Sequence, residues 1–583
     1  MSFWPGEKLR YAETHFKFKL PWSLLYKPWP EIIFDAPFQF VPGVEPTLWI
    51  VVRDADRFPT TLKTAEIFLK RTAECDGMYF ENAQDLNSAK QQDLNNAPQS
   101  DIVISKDLSL DVHEQMQFIP FPLGEVPAGT YEAHCKLTVE REGKTQTFER
   151  WNLPRLKQAP LRFKVLNEFP PTAPGYVAGE MHCHTHYSAD HVEYGATPAV
   201  LQQAAKAVGL DFVSCTDHAY DFAFTQEDYT KEAQSPVPRF QKLREEIATL
   251  PRENEKGESL PLLLAGEEVS AGNSKGENVH MTVLAPDGYL PGLGDCGRYW
   301  LENRPTRSIK QILNDTEAHC FAAHPFQQMG LLEKFVFRRG YWKPEDLNIA
   351  NKSAEKKAKD FNNESASKKH SIRGIQFWNG IRDEGFKLGR EFWINELGKG
   401  NYLLPIGGND AHGDLNDTTA VDLPLLSLKH SRAHIFGNVR TVVRLDERRK
   451  TKDERFEIRN ESTDSVILNG VKDPVTLNEA FDGDNCYITD GPALWWERSG
   501  KDILFHARSN KETGVGFRYI RIYGRRMLSN GKLAPDEEVL IGSLVAAPDH
   551  ADIPVATFDF AYVRAECETA TGKFALTSAA RLK

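Results

Sequence analysis

Glu180-Met-His-Cys-His-Thr-His-Tyr-Ser-Ala-Asp190 decides how this chain is read, because His182, His184 and His186 recur at a spacing of two. Residues two apart on an extended strand leave the same face, so a strand here aims three imidazoles to one side. Three ionisable rings on an inner face are costly unless each nitrogen has a partner. For any one ring, a hydrogen-bonded core or surface histidine is the plain alternative. Asp190 adds a hard oxygen ligand just past the strand, and four later phrases set His, Asp or Glu at expected strand ends: Asp217-His218, Glu267-Glu268, His324-Pro325 and Asp410-Ala-His412. Together they read as the shell of a polynuclear metal site.

Working outward, residues 177–442 alternate strands with helices. Thr197 is an N-cap, Pro198 opens a helix and Gly209 stops it. Strands follow at 210–216, 260–266, 278–284 (with His280), 320–324, 374–379 and 402–408, and helices at 237–250 and 309–319. Beta-alpha repeats with polar residues at the carboxyl ends of the strands describe a barrel with its site at that mouth. No glycine-rich fingerprint follows the first strand, which removes a dinucleotide-binding reading. Residues 343–371, crowded with Lys, Asn, Ser and Glu, read as a surface insertion.

Residues 1–172 hold short alternating runs between turn signals and read as a mostly antiparallel β domain; Pro59–Arg71 fits one helix within it. Residues 450–583 return to alternating strands and read as a second β-sandwich-like domain, bracing the barrel or a contact between copies, so a homo-oligomer is compatible. The expected class is therefore α/β, a barrel flanked by N-terminal and C-terminal β-sandwich-like domains. At 583 residues the chain has room for all three. A formal net charge of -11 gives no footprint for nucleic acid or an anionic membrane. Neither a signal peptide nor an apolar run of about 20 residues is present, which sets a cytoplasmic expectation. The eight cysteines are scattered without a CxxC and imply neither disulfide framework nor thiolate zinc site.

The ordered set His182-x-His184, Asp190, Asp217-His218, Glu268, His280, His324-Pro and Asp410-x-His412 resembles the polymerase-and-histidinol-phosphatase superfamily of metal-dependent hydrolases. The phrases Gly437-Asn-Val-Arg-Thr441 and Thr489-Asp-Gly-Pro492 resemble its CehA/McbA branch. The resemblance implies a distorted seven-stranded (β/α)7 barrel holding two or three divalent ions, Zn, Mn or Fe. It implies His182, His184, Asp190, His218, Glu268, His280, His324, Asp410 and His412 as metal ligands, with Glu268 bridging and Asp217 orienting a neighbouring ring. Alternation lets only one of Glu267 and Glu268 face the ions. His186 is outside the family's demand; it lines the pocket, donates a proton or merely hydrogen-bonds.

Two-metal sites lower the pKa of a bound water toward neutrality and polarise an electrophile, so no Ser-His-Asp set is needed. Glu268, Asp410 and His186 are the residues expected to act in the reaction. A small phosphoester is the expected substrate, with Arg382 and Arg440 as candidate phosphate-binding forks. A carbamate, amide or carboxylic ester is the alternative, for which Tyr187, Tyr194, Phe377 and Trp378 would suit an aryl group. A binding protein built on a spent hydrolase is the third reading.

Overall fold

A computed structural model of the chain describes residues 9–10, 26–27, 29–72, 102–153, 156–188, 195–223, 233–295, 303–347, 371–413, 415–422, 427–445, 474–527, 538–556 and 559–582. The histidine strand, Tyr176–His184, is buried at every position. On one side it pairs in parallel with Phe212–Cys215, which pairs in parallel with Leu262–Ala265. The intervening helix Pro198–Val208 has the ends its sequence dictates. The Thr197 hydroxyl accepts from the Val200 amide, and Gly209 sits at φ 80°, donating to the Ala205 and Lys206 carbonyls.

On its other side the histidine strand pairs antiparallel with Arg440–Arg444. That sheet continues through Cys486–Thr489, Phe574–Thr577, Phe560–Thr569 and Phe517–Arg526 to Val539–Ala547. A second sheet orders Glu267–Gly272, Asn278–Val283, Cys320–Ala323, Ile372–Asn379 and Leu404–Gly408; its first three strands are antiparallel neighbours, the rest parallel.

These sheets correct the expected barrel: no sheet among the described residues closes on itself, and the architecture is mixed, open-sheet α/β with several separate sheets. Two local causes are visible. The Glu267–Gly272 and Asn278–Val283 strands form a hairpin. Its loop is fixed by the Asn273 side-chain oxygen, which accepts from the Lys275 and Glu277 amides at 2.9 Å each. An antiparallel hairpin interrupts the parallel repeat a barrel requires. In addition, Arg440–Arg444 takes the edge where a closing strand would dock, along Tyr176–Gly179. From the second sheet's side, only Ala411–His412 pairs with the histidine strand, at Cys183 and His184. Elsewhere in the site the His218–Glu268 bridge links the sheets.

In the N-terminal region the sheet Glu31–Asp35, Thr47–Arg53, Met116–Pro122 faces a six-stranded sheet. Ile32, Phe34, Ile50 and Val52 share a core with Leu62, Ile67, Leu137 and Val139. The segment read as a helix at Pro59–Arg71 is the strand Thr60–Thr72, whose buried residues are Thr60, Leu62, Ala65, Ile67 and Leu69. An irregularity between Leu62 and Thr64 shifts the inward residues from even to odd numbers and hides the period of two. In the C-terminal region the sheet Ala493–Ser499, Asp502–Arg508, His550–Val555 stacks on the far strands of the histidine sheet, through Trp496 and Phe505 against Ile520 and Val563. Most of the 343–371 stretch lies outside the described residues. No helix among the described residues is long and apolar enough to cross a membrane.

Candidate metal centre

His182 and His184 leave the same face of their strand and are buried. The strand stops at His184, and residues His186–Ser188 form a 3-10 turn. Asp217 makes that turn: its Oδ1 accepts from the amides of Thr185 at 2.8 Å and Ser188 at 3.0 Å and from the Ser188 hydroxyl at 2.8 Å. The expectation of three rings on one face is therefore corrected to two. His186 turns away, its Nε2 3.7 Å from Glu246.

Eight of the expected ligands converge in three overlapping groups, each with donor atoms within 4.8 Å of one another: His184, His218, His412; His182, His184, Glu268, Asp410; and Glu268, His280, His324. Glu268 is their hub. Its Oε1 lies 2.7 Å from His280 Nδ1, 3.0 Å from His324 Nε2 and 3.3 Å from His182 Nε2. Its Oε2 lies 2.8 Å from His218 Nδ1 and 3.6 Å from His184 Nε2. Asp410 Oδ1 is 3.1 Å from His184 Nε2 and 3.3 Å from His182 Nε2. Glu267 faces the other way, accepting from the Leu290 amide at 2.8 Å.

The donor set fits divalent cations better than it fits itself. Within it, His182 Nε2, His218 Nδ1 and Glu268 Oε2 are buried without a hydrogen bond, although the last two are only 2.8 Å apart. Atoms that crowd one point without hydrogen-bond alignment are arranged as ligands are, and buried polar atoms otherwise find partners. Burial pushes Glu268 upward, yet the fields of His280, His182 and His218 outweigh it and hold the carboxyl well below its usual range. Asp410 behaves likewise, with burial opposed chiefly by His182. Burial lowers His184 well below the ordinary histidine value, and His412 and His218 reinforce it. Mixed imidazole and carboxylate donors suit Zn, Mn or Fe.

Backbone conformation is committed to the same point. His324 at φ 25° and Asp410 at φ 53° are non-glycine residues at positive φ, a cost of about 1–3 kcal/mol each that persists only where the surroundings impose it. The Asp410 amide donates to the His182 carbonyl at 2.7 Å. Gly408 allows that approach, since a Cβ there would lie 2.9 Å from the His182 Cβ.

A second layer holds the ligands. Gln376 Oε1 meets His182 Nδ1 at 2.8 Å, Ser188 Oγ meets His184 Nδ1 at 3.1 Å, and Asn379 Nδ2 donates to Asp410 Oδ2 at 3.1 Å. Buried Glu180 accepts from the His182 and Asn409 amides at 3.0 and 2.9 Å and from the Gly437 amide at 3.0 Å, tying the histidine strand to the Asp410 segment. Sequence reasoning missed Asp295. Its Oδ2 lies 2.9 Å from His280 Nε2 while His280 Nδ1 faces Glu268, an arrangement that fixes ring orientation. Burial would lower His280, but Glu268 and Asp295 outweigh it and carry the ring up to about 10.

Asp190 and Tyr194 fall outside the described residues. Neither arginine expected to hold phosphate reaches the cluster. Arg382 bonds Glu568 Oε2 at 3.2 Å and the Gly572 carbonyl at 2.6 Å, and buried Arg440 bonds the Gly437 and Val208 carbonyls at 3.2 and 2.7 Å. Phe377 and Trp378 are core residues, 2 % and 1 % exposed, so they offer no aryl pocket. A cation that the structure does bring beside the cluster is Arg339, whose Nε donates to Asp295 Oδ2 at 2.6 Å.

The sequence matches no family model and no curated protein. Among solved structures it is similar to a β-D-mannosidase from Dictyoglomus thermophilum, 9 % identical, covering 96 % of this chain and 67 % of that one at a TM-score of 0.21. It is also similar to a glycosyl hydrolase family 2 member from Bacteroides cellulosilyticus, 10 % identical, covering 94 % and 63 % at a TM-score of 0.15. A Parabacteroides merdae β-glucuronidase, 9 % identical, covers 96 % and 78 % at 0.17. Such scores carry no argument about fold or function.

Proposed function

We propose that the protein is a divalent-metal-dependent hydrolase of small phosphoesters. The observation that carries the reading is the set of eight converging donors around Glu268, three of whose buried atoms have no hydrogen-bond partner. His182, His184, His218, Glu268, His280, His324, Asp410 and His412 would hold the ions, two or three of them, as Zn, Mn or Fe. When bound, such ions supply Lewis acidity and make water acidic enough to ionise near neutral pH. The chain's own residues do the rest. Glu268 supplies negative charge to two of the donor groups, and Gln376, Ser188 and Asp295 set the orientation of His182, His184 and His280. Burial of the carboxylates keeps water from screening their charge.

The reading is supported at the substrate end by a shallow, open cleft lined by His280, His324 and Arg339. The same cleft is lined by Tyr341 and Met329, which favours a second reading, a neutral carbamate or carboxylic ester. Metal quantification on protein purified without added salts, followed by phosphomonoester, phosphodiester, nitrophenyl ester and carbamate panels with and without chelator, separates them. Phosphoester turnover that chelation abolishes is expected. A metal-loaded protein inert toward every phosphorylated compound would sink the proposal, and turnover confined to neutral esters would replace it with the second reading.

A further inference from the structure

The strand Asn278–Val283 carries more than His280. Its first residue is bridged to Arg339: the Asn278 amide donates to the Arg338 carbonyl at 2.9 Å and the Gly340 amide to the Asn278 carbonyl at 2.8 Å. Arg338 sits at φ 53°, a positive φ at a non-glycine residue, so this short segment is held in a costly conformation right beside the ligand strand. The consequence is a rigidly placed Arg339. Its Nε is tied to buried Asp295 at 2.6 Å and its Nη1 lies at a loose 3.4 Å from Glu333, whose side chain is 37 % exposed. No hydrogen bond or ion pair to a described residue involves Nη2; the side chain is 27 % exposed and lines the cleft that His280 and His324 also line.

We propose that Arg339 is the specificity-determining residue of the site: its outer guanidinium edge, Nη1 and Nη2, receives the anionic phosphoryl oxygens of the substrate, and Glu333 is the internal carboxylate that they displace. The inference rests on the phosphoester reading and names how that substrate is chosen. A guanidinium anchored through Nε offers the remaining two donors as a planar fork, the geometry a phosphoryl group takes bidentately. Asp295 serves two purposes at once, orienting His280 toward Glu268 through Oδ2 and fixing Arg339 through the same atom. Ligand cluster and anion fork are thereby held at a fixed separation. Selection follows from the charge: an anion gains the fork and releases Glu333, whereas a neutral ester gains neither.

The test reads binding of inorganic phosphate by calorimetry to the metal-loaded full chain, with metal content measured on each sample. Arg339→Met should weaken phosphate by about tenfold or more, the scale of a lost charge-assisted hydrogen-bond pair. Glu333→Gln should tighten it several-fold, a change of opposite sign that a merely structural arginine would not produce. Should Arg339→Met lose metal, Arg339→Lys, which keeps a cation for Asp295 but no fork, is read in its place and should weaken phosphate likewise. Unchanged phosphate affinity in the Arg339 variant that retains metal overturns the inference while leaving the phosphoester reading standing. Wild-type protein that holds metal but neither binds phosphate nor turns over a phosphoester overturns that reading itself.

Discussion

Replacing Glu268 with Gln removes one negative charge and almost no volume, and the structure sets what that should cost. Five imidazole nitrogens lie within 3.6 Å of the two carboxylate oxygens. The residue belongs to two of the three donor groups. At an effective dielectric near 20, one unit pair at 4 Å is worth about 4 kcal/mol, and a divalent ion doubles it. Even half of one such term, about 2 kcal/mol, lowers metal affinity roughly thirtyfold. Glu268→Gln should therefore lose at least one equivalent of metal, measured by elemental mass spectrometry after dialysis, and with it turnover. Circular dichroism should stay native, because the packing is nearly isosteric. Glu267→Gln is the control. Burial pushes Glu267 well above the usual carboxylate range, only partly opposed by the Leu290 amide, so an amide replaces a group already inclined to neutrality. It should keep full metal and change stability by less than about 1 kcal/mol. Full metal in Glu268→Gln and loss in Glu267→Gln would refute the assignment of the hub.

Asp295→Asn should cut metal affinity or turnover by about 10- to 100-fold through loss of His280 orientation, seen as a shifted metal-titration midpoint with an unchanged melting curve. Arg150 Nη2 meets both Asp417 oxygens at 2.7 Å with side chains 3 % and 7 % exposed. Arg150→Met should thus lose about 3–5 kcal/mol by urea unfolding, and Arg150→Met with Asp417→Leu should recover a large part, since the second change removes the stranded charge. Asp35, buried beside the same pair and accepting from the Leu415 amide, is raised from 3.8 to about 7, chiefly by burial. Its folded form binds the proton more tightly than the unfolded chain, so its contribution to stability is whole below pH 3.8 and is lost as pH rises through about 7. Urea midpoints at pH 5 and pH 8 should show a fall in wild type that Asp35→Asn reduces; an equal fall in both proteins would assign the pH dependence elsewhere.

The ligands were legible in the sequence because burying them is expensive. Imidazoles at 182 and 184, and Asp410-x-His412 behind two glycines, make no sense as an apolar core, and the structure brings them together. What holds the ligands was not legible. Asp295 lies in the loop Pro291-Gly-Leu-Gly-Asp295, with no strand end to mark it, and reaches His280 only because the hairpin folds back. Arg382 and Arg440 were chosen because an arginine near a motif advertises charge. Sequence gives such a residue no address, and the donors of Arg382 go to Glu568 and the Gly572 carbonyl while those of Arg440 go to the Gly437 and Val208 carbonyls. His186 failed for a different reason: spacing predicts a shared face only while the strand lasts, and the hydrogen bonds to Asp217 end it two residues early.

One of the two causes that keep the sheets from closing, the hairpin, also settles which glutamate is the hub. Counting strands with polar ends ignores direction, and Asn273-Ser-Lys-Gly-Glu277 between two apolar runs is a hairpin signal. The hairpin pairs Ser270 with His280. Partners directly opposite each other on antiparallel strands share a face, and so do residues two apart on one strand. Once His280 points to the donor cluster, Ser270 and therefore Glu268 must point with it, while Glu267 must point to Leu290. A continuous parallel sheet would have left that parity open. The antiparallel turn that breaks the parallel repeat is the element that fixes it.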